Sequence, residues 1–102
     1  MDKIIDRAYT ITEITNIVSP IAKSHGVARV YLFGSYARGE ATENSDIDFR
    51  IDSGKIKTLF ALGGFYADLE EGLKKNIDIV TEDGISEKFY GRIKGEEIMI
   101  YG

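Results

Sequence analysis

Ile11, Ile14, Val18, Ile21 and Ala22 recur at intervals of three and four, which predicts a helix with one apolar face. Thr10 followed by Glu13 reads as a capping box at its start, and Gly26 supplies a stop. Pro20 falls inside this pattern and predicts either a kink or a restart with Ser19 as the cap. The period then changes. Val30 to Phe33 reads as a short strand between turn signals. From Asp46 to Ile51 the alternation is strict, with Ile47, Phe49 and Ile51 on one face and Asp46, Asp48 and Arg50 on the other. Lys57 to Leu73 returns to helical spacing through Leu59, Leu62, Tyr66, Leu69 and Leu73, although Gly63 and Gly64 weaken it by about 1 kcal/mol each. Ile77 to Val80 is a third strand, Ser86 to about Lys94 a last helix, and Ile98 to Tyr101 a short strand or tail. The order helix, strand, strand, helix, strand, helix predicts an α/β fold with helices packed against one sheet. No repeat or low-complexity linker divides the chain, so residues 1–102 are expected to form a single domain.

Composition narrows the function more than the fold. The chain is 43% hydrophobic and 29% charged, so a chain of this length can bury roughly two-thirds of its unfolded surface without disulfides. It has no cysteine, which excludes a disulfide framework and a thiolate zinc site. No stretch approaches the roughly 20 apolar residues of a membrane span, and a cytoplasmic protein is the expectation. The net charge of −4 argues against direct nucleic-acid binding, which needs a basic face. It leaves room for a nucleotide whose charge a divalent cation carries.

The candidate chemistry lies between residues 32 and 52. Asp46 and Asp48 are two apart on a strand, so they share a face with Cα atoms about 6.5–7 Å apart. Carboxylates at that spacing can converge on a hard cation, and all-oxygen ligation favours Mg²⁺ or Mn²⁺ over zinc. Asp78, between Ile77 and Ile79, points away from the face that those isoleucines bury. Were its strand to pair beside the second, all three acids would share one open face. The plainer alternative is that each simply faces water. Gly34-Ser35 directly follows a strand, and Tyr36 to Gly39 could form one helical turn. Such a turn leaves backbone N–H groups free for phosphate oxygens. The Ser35 hydroxyl adds a contact, and Arg38 offers a planar multidentate one. Residues 39–45 read as a polar loop, with Ser45 able to bond neighbouring backbone.

Gly34-Ser35, ten residues, then Asp46-Ile47-Asp48 resembles the nucleotidyltransferase signature. With Arg38-Gly39 inside it and so short a chain, the sequence looks like the minimal nucleotidyltransferase (MNT) antitoxins of prokaryotic HEPN/MNT toxin–antitoxin pairs, in the DNA polymerase beta-like superfamily. The motif covers about a fifth of the chain. The resemblance implies a polymerase beta-like palm, a small mixed sheet with helices packed against it. It implies Mg²⁺ (two ions, with Mn²⁺ as a substitute) held by Asp46, Asp48 and Asp78, the last also activating the acceptor hydroxyl. Nucleotide contacts from Gly34, Ser35, Arg38 and Ser45 are expected too. The implied reaction is AMP transfer from ATP to a hydroxyl, a tyrosine of a cognate HEPN ribonuclease toxin. The alternative is a non-catalytic antitoxin that neutralises the toxin by binding and occlusion. Two departures stand out: many relatives carry Arg where this chain has Tyr36, and a more apolar run where it has Arg50.

Other residues carry less. His25 is read as a helix C-terminal residue rather than a catalytic one. Glu70, Glu71, Lys74 and Lys75 read as an exposed helix end, and Tyr90 and Arg92 as a solvated helix face or a frame for nucleotide or partner.

Overall fold

In the computed structural model, which describes residues 7–82 and 95–102, helix α1 spans Ile11–His25. Its start is a reciprocal capping box. Thr10 Oγ1 accepts from Glu13 N at 3.1 Å, and the Glu13 carboxylate accepts from Thr10 N at 2.9 Å. Arg7 donates twice to the same carboxylate and, with the Thr10 amide, holds the Glu13 pKa down at about 2. Gly26 ends the helix in the left-handed region at φ 73°. Pro20 neither breaks nor restarts α1, which is a single helix. The proline removes the donor for the Asn16 carbonyl, but both residues lie on the exposed side, where water can take that bond.

Strand β1 (Arg29–Phe33) leads directly into a short helix, α2 (Gly34–Arg38), and a loop then returns to β2 (Ile47–Asp52). Helix α3 (Leu59–Leu73) crosses back to β3 (Ile77–Thr81), and β4 (Ile98–Tyr101) closes the described chain. The sheet order is β3-β2-β1-β4. β1 runs antiparallel to both β2 and β4, whereas β2 and β3 are parallel. The sheet is therefore mixed, and among the described strands the β2–α3–β3 crossover supplies the one parallel pairing. The helix expected near 86–94 lies outside the described residues.

Burial follows the alternation. Val30 and Leu32 of β1 and Ile47, Phe49 and Ile51 of β2 are fully buried against Ile14, Val18 and Ala22 of α1 and Phe65, Leu69 and Leu73 of α3. Removing a side chain such as Phe49 from this layer would cost about 3–5 kcal/mol. Helix α3 starts two residues later than the apolar pattern suggests. Thr58 caps it by accepting from Ala61 N at 3.0 Å, and Leu59 is 86% exposed rather than buried. Phe65 takes the core position instead, four residues before Leu69 and eight before Leu73. Gly63 and Gly64 remain helical because packing outweighs their propensity. Gly64 also lies 3.7 Å from the His25 ring at the point where a Cβ would project. His25 joins the two helices, with Nε2 2.7 Å from Asp68 and its ring edge-on to Phe65 at 5.5 Å.

The opposite face of the sheet carries the polar residues. Tyr31 pairs with Arg50, Phe33 with Asp48, and Asp48 in turn with Asp78.

Candidate active site

The parallel register settles where the third acid lies. Asp48 and Asp78 are direct neighbours on adjacent strands, so their side chains rise from the same side of the sheet. Asp46 stands just before β2 begins, exposed, close enough for its charge to act on Asp48. Asp48 is half-buried and its carboxyl is pushed up to about 6. Burial is the largest cause. The charges of Asp78 and Asp46 follow, with a hydrogen bond from Asp78, against a weaker pull from Arg38. Asp46 and Asp78 thus flank one carboxyl, that of Asp48, which is costly to ionise without a cation.

Gly34 opens α2 at φ 73°, a conformation that favours glycine. A second constraint applies at the same place: a Cβ on Gly34 would run into the Asp48 carboxylate. Glycine is therefore needed both for the turn and for the close approach of the turn to the acid. Ser35 follows, half-buried, at the first turn of α2. Arg38 sits in the last turn, but its guanidinium is engaged. Nε donates to Glu40 at 2.6 Å and Nη1 to Glu96 at 3.2 Å, so an anion would have to compete with both. Ser45 serves the loop: its hydroxyl accepts from Thr42 N at 2.9 Å, and its own N–H donates to Thr42 O at 3.1 Å. The fold thus brings Gly34, Asp46, Asp48 and Asp78 together. Ser35 and Arg38 stand on the adjoining helix, and Ser45 holds the loop that delivers Asp46.

The two unusual positions have structural explanations. Tyr36 is only 4% exposed and packs into the core, so it presents no contact to a phosphate. Arg50 is 6% exposed, donates to Glu97 at 2.8 and 3.1 Å and to Asp52 at 3.0 Å, and stacks over the Tyr31 ring at 4.0 Å. Nothing in the alternation of β2 announces that partnership, because Glu97 lies 47 residues away.

The donor chemistry fits a hard divalent cation. Among the described residues no three acidic or imidazole side chains form an ion-binding cage, so the fit is to an ion held by one or two carboxylates. Mg²⁺ is commonly bound that way, with phosphates and water completing the octahedron. The raised pKa of Asp48 points the same way, since two neighbouring acids oppose its charge against the weaker pull of Arg38.

The sequence profile of the nucleotidyltransferase domain family matches residues 11–101. The chain belongs to that family. This nucleotidyltransferase is 41% identical over 88 residues to a protein assigned as a protein adenylyltransferase in Methanocaldococcus jannaschii, covering 86% of this chain and 95% of the relative. It superposes on a solved structure assigned as a minimal nucleotidyltransferase with a TM-score of 0.75 and 34% identity, over 87% of this chain and 91% of the other. It also shares its fold with the MNT antitoxin solved in complex with the tri-AMPylated HEPN toxin of Shewanella oneidensis. There the TM-score is 0.69 at 18% identity, covering 90% of this chain and 72% of the matched one. The nucleotidyltransferase fold and family expected from the Gly-Ser and Asp-x-Asp spacing are thus both found. Among the described residues, no helix is long and apolar enough to cross a membrane.

Proposed function

We propose that this nucleotidyltransferase transfers AMP from ATP to a hydroxyl of a protein, a tyrosine of a cognate HEPN toxin, and acts in the cytoplasm as that toxin's antitoxin. The observation that carries the reading is the register of Asp48 against Asp78, beside a left-handed glycine turn where a Cβ would meet the Asp48 carboxylate. The adenylyltransferase assignment of the Methanocaldococcus relative and the tri-AMPylated toxin bound to the Shewanella antitoxin support the choice of donor and acceptor.

The roles follow from position. The Gly34–Ser35 turn and the N–H groups at the start of α2 hold the β- and γ-phosphates, with Arg38 exchanging its glutamate partners for phosphate oxygens. Asp46 and Asp48 would hold Mg²⁺, which when bound would supply charge neutralisation of the phosphates and a lowered pKa at the attacking hydroxyl. Asp78 lies on the edge strand, on the far side of Asp48 from the phosphate turn, so the acceptor approaches from that edge. Its carboxylate takes the hydroxyl proton as the acceptor oxygen bonds to the α-phosphorus. The α–β bridging bond breaks and pyrophosphate leaves toward the Gly34–Ser35 turn.

The test uses α-labelled ATP, Mg²⁺ and any protein with the HEPN pattern found encoded beside this chain's gene. Label should enter that protein with the wild-type chain. With Asp78→Asn it should fall by about 10²-fold or more, while most of the Mg·ATP affinity remains. Full protection of cells by Asp78→Asn, with no label transferred, would replace this reading by occlusion.

A further inference from the structure

Lys75 lies in the turn between α3 and β3, just after Lys74, which is itself left-handed at φ 56°. Its ammonium reaches across to the other strand's entrance and donates to the Glu43 carbonyl at 2.7 Å. One residue later, the Asn76 carbonyl accepts from Ile47 N at 3.1 Å. The entrances to β2 and β3 are therefore tied both by backbone pairing and by the Lys75 side chain. Asp46 stands between these ties, three residues after Glu43 and one before Ile47.

Tyr9 organises the far end of the same tie. Its ring lies 5.9 Å from the Lys75 ammonium, and its hydroxyl donates to the Leu73 carbonyl at 2.6 Å. The Tyr36 hydroxyl, from the residue after Ser35, is buried close to the Tyr9 backbone though outside hydrogen-bond geometry. Tyr9 thus lies near both Lys75 and the residue that follows Ser35. The acid loop needs a support. Thr42, Glu43, Asn44 and Asp46 are all exposed, and Asp46 faces the like charge of Asp48. Repulsion favours its outward displacement whenever no cation is present. A cavity of about 390 Å³ lined by Ser45, Asp46, Lys75 and Asn76 leaves the loop room to shift.

We propose that Lys75 is a positioning residue: by holding the Glu43 carbonyl it fixes Asp46 against Asp48 and Asp78, and so sets how strongly a divalent cation strengthens ATP binding. This rests on the function proposed above and assigns a role to a residue whose sequence reads only as a solvated helix end. The experiment compares Lys75→Met, which keeps the aliphatic stem and loses the donor, with Lys75→Arg and with Lys74→Met. Lys74→Met removes the same charge one residue away. ATP affinity is measured by calorimetry with MgCl₂ and with EDTA, alongside amide exchange over residues 42–46 in the metal-free protein and a thermal melt. The ratio of the two affinities should fall about tenfold in Lys75→Met, recover in Lys75→Arg and stay at the wild-type value in Lys74→Met. Exchange over 42–46 should quicken in Lys75→Met alone. A wild-type ratio in Lys75→Met, or an equal fall in Lys74→Met, overturns the proposal. No Mg²⁺ dependence in the wild-type chain would instead overturn the metal-dependent function and this inference with it.

Discussion

Two groups of charges share one face of β2, two residues apart, and they are built in opposite ways. Around Arg50 every charge is answered: Glu97 accepts from two nitrogens, Asp52 from a third, and the guanidinium lies flat on Tyr31. The hydrogen bond to Glu97, then the charges of Glu97 and Asp52, push the Arg50 pKa further up against the opposing effect of burial. Around Asp48 the neighbours have the same sign, and its carboxyl is pushed up to about 6. A buried ion with good partners is fixed and chemically inert. A half-buried ion among like charges holds a proton near neutral pH and gains most from a cation. The contrast separates the end of the strand that is fixed by its partners from the end that carries the proposed site.

Arg50→Met should give the largest change. It keeps an apolar stem over Tyr31 but leaves Glu97, whose side chain is only 11% exposed, without its main partner. We expect a loss of about 3 kcal/mol in denaturant unfolding, with the Mg·ATP affinity of the folded protein unchanged. A loss well under 1 kcal/mol would mean that solvent screens the network, and the contrast with Asp48 would weaken.

Gly34→Ala comes next. The left-handed backbone costs about 1–2 kcal/mol for alanine, and the new methyl would displace the Asp48 carboxylate. Nucleotide affinity should fall with stability, whereas Ser35→Ala should lower affinity and leave the melting temperature near wild type. Were Gly34→Ala to bind Mg·ATP as wild type does, the turn and the acid would not be acting as one site.

The smallest effect concerns pH. Because the folded pKa of Asp48, about 6, lies above its ordinary value of 3.8, the folded state holds that proton more tightly than the unfolded chain. Stability therefore rises as pH falls from about 6 toward 4, and the cost of ionising Asp48 is fully present above 6. Asp48→Asn should stabilise the metal-free protein at pH 7 by up to about 1 kcal/mol, the shift being discounted for partial exposure. The gain should vanish near pH 4. Wild-type Mg·ATP binding should weaken as pH drops below 6, since the proton competes with the cation. Parallel pH–stability curves for wild type and Asp48→Asn would show that Asp48 is not perturbed.

Much of this molecule is determined locally. The capping box at Thr10, the left-handed stop at Gly26, the alternation of β2 and the phosphate turn each depend on residues within a few positions, where backbone and side-chain geometry leave few choices. Those short-range rules place Gly34, Ser35, Asp46 and Asp48 within one segment and make the family legible. The sequence also indicates that Asp78 faces away from the core, but whether it stands beside Asp48 depends on which strands pair and in which register. Only packing α3 against the sheet decides that. The same holds for the departures. Pro20 stays helical because the Asn16 carbonyl it leaves without a donor lies on the exposed side of α1, Leu59 is exposed because α3 begins at a cap two residues later, and Phe65 replaces it in the core. Arg50 with Glu97 and Lys75 with Glu43 join residues 47 and 32 positions apart. Long flexible side chains carry no periodic signal of their partners, so such ties exist only once the strands and turns that bear them have been brought together.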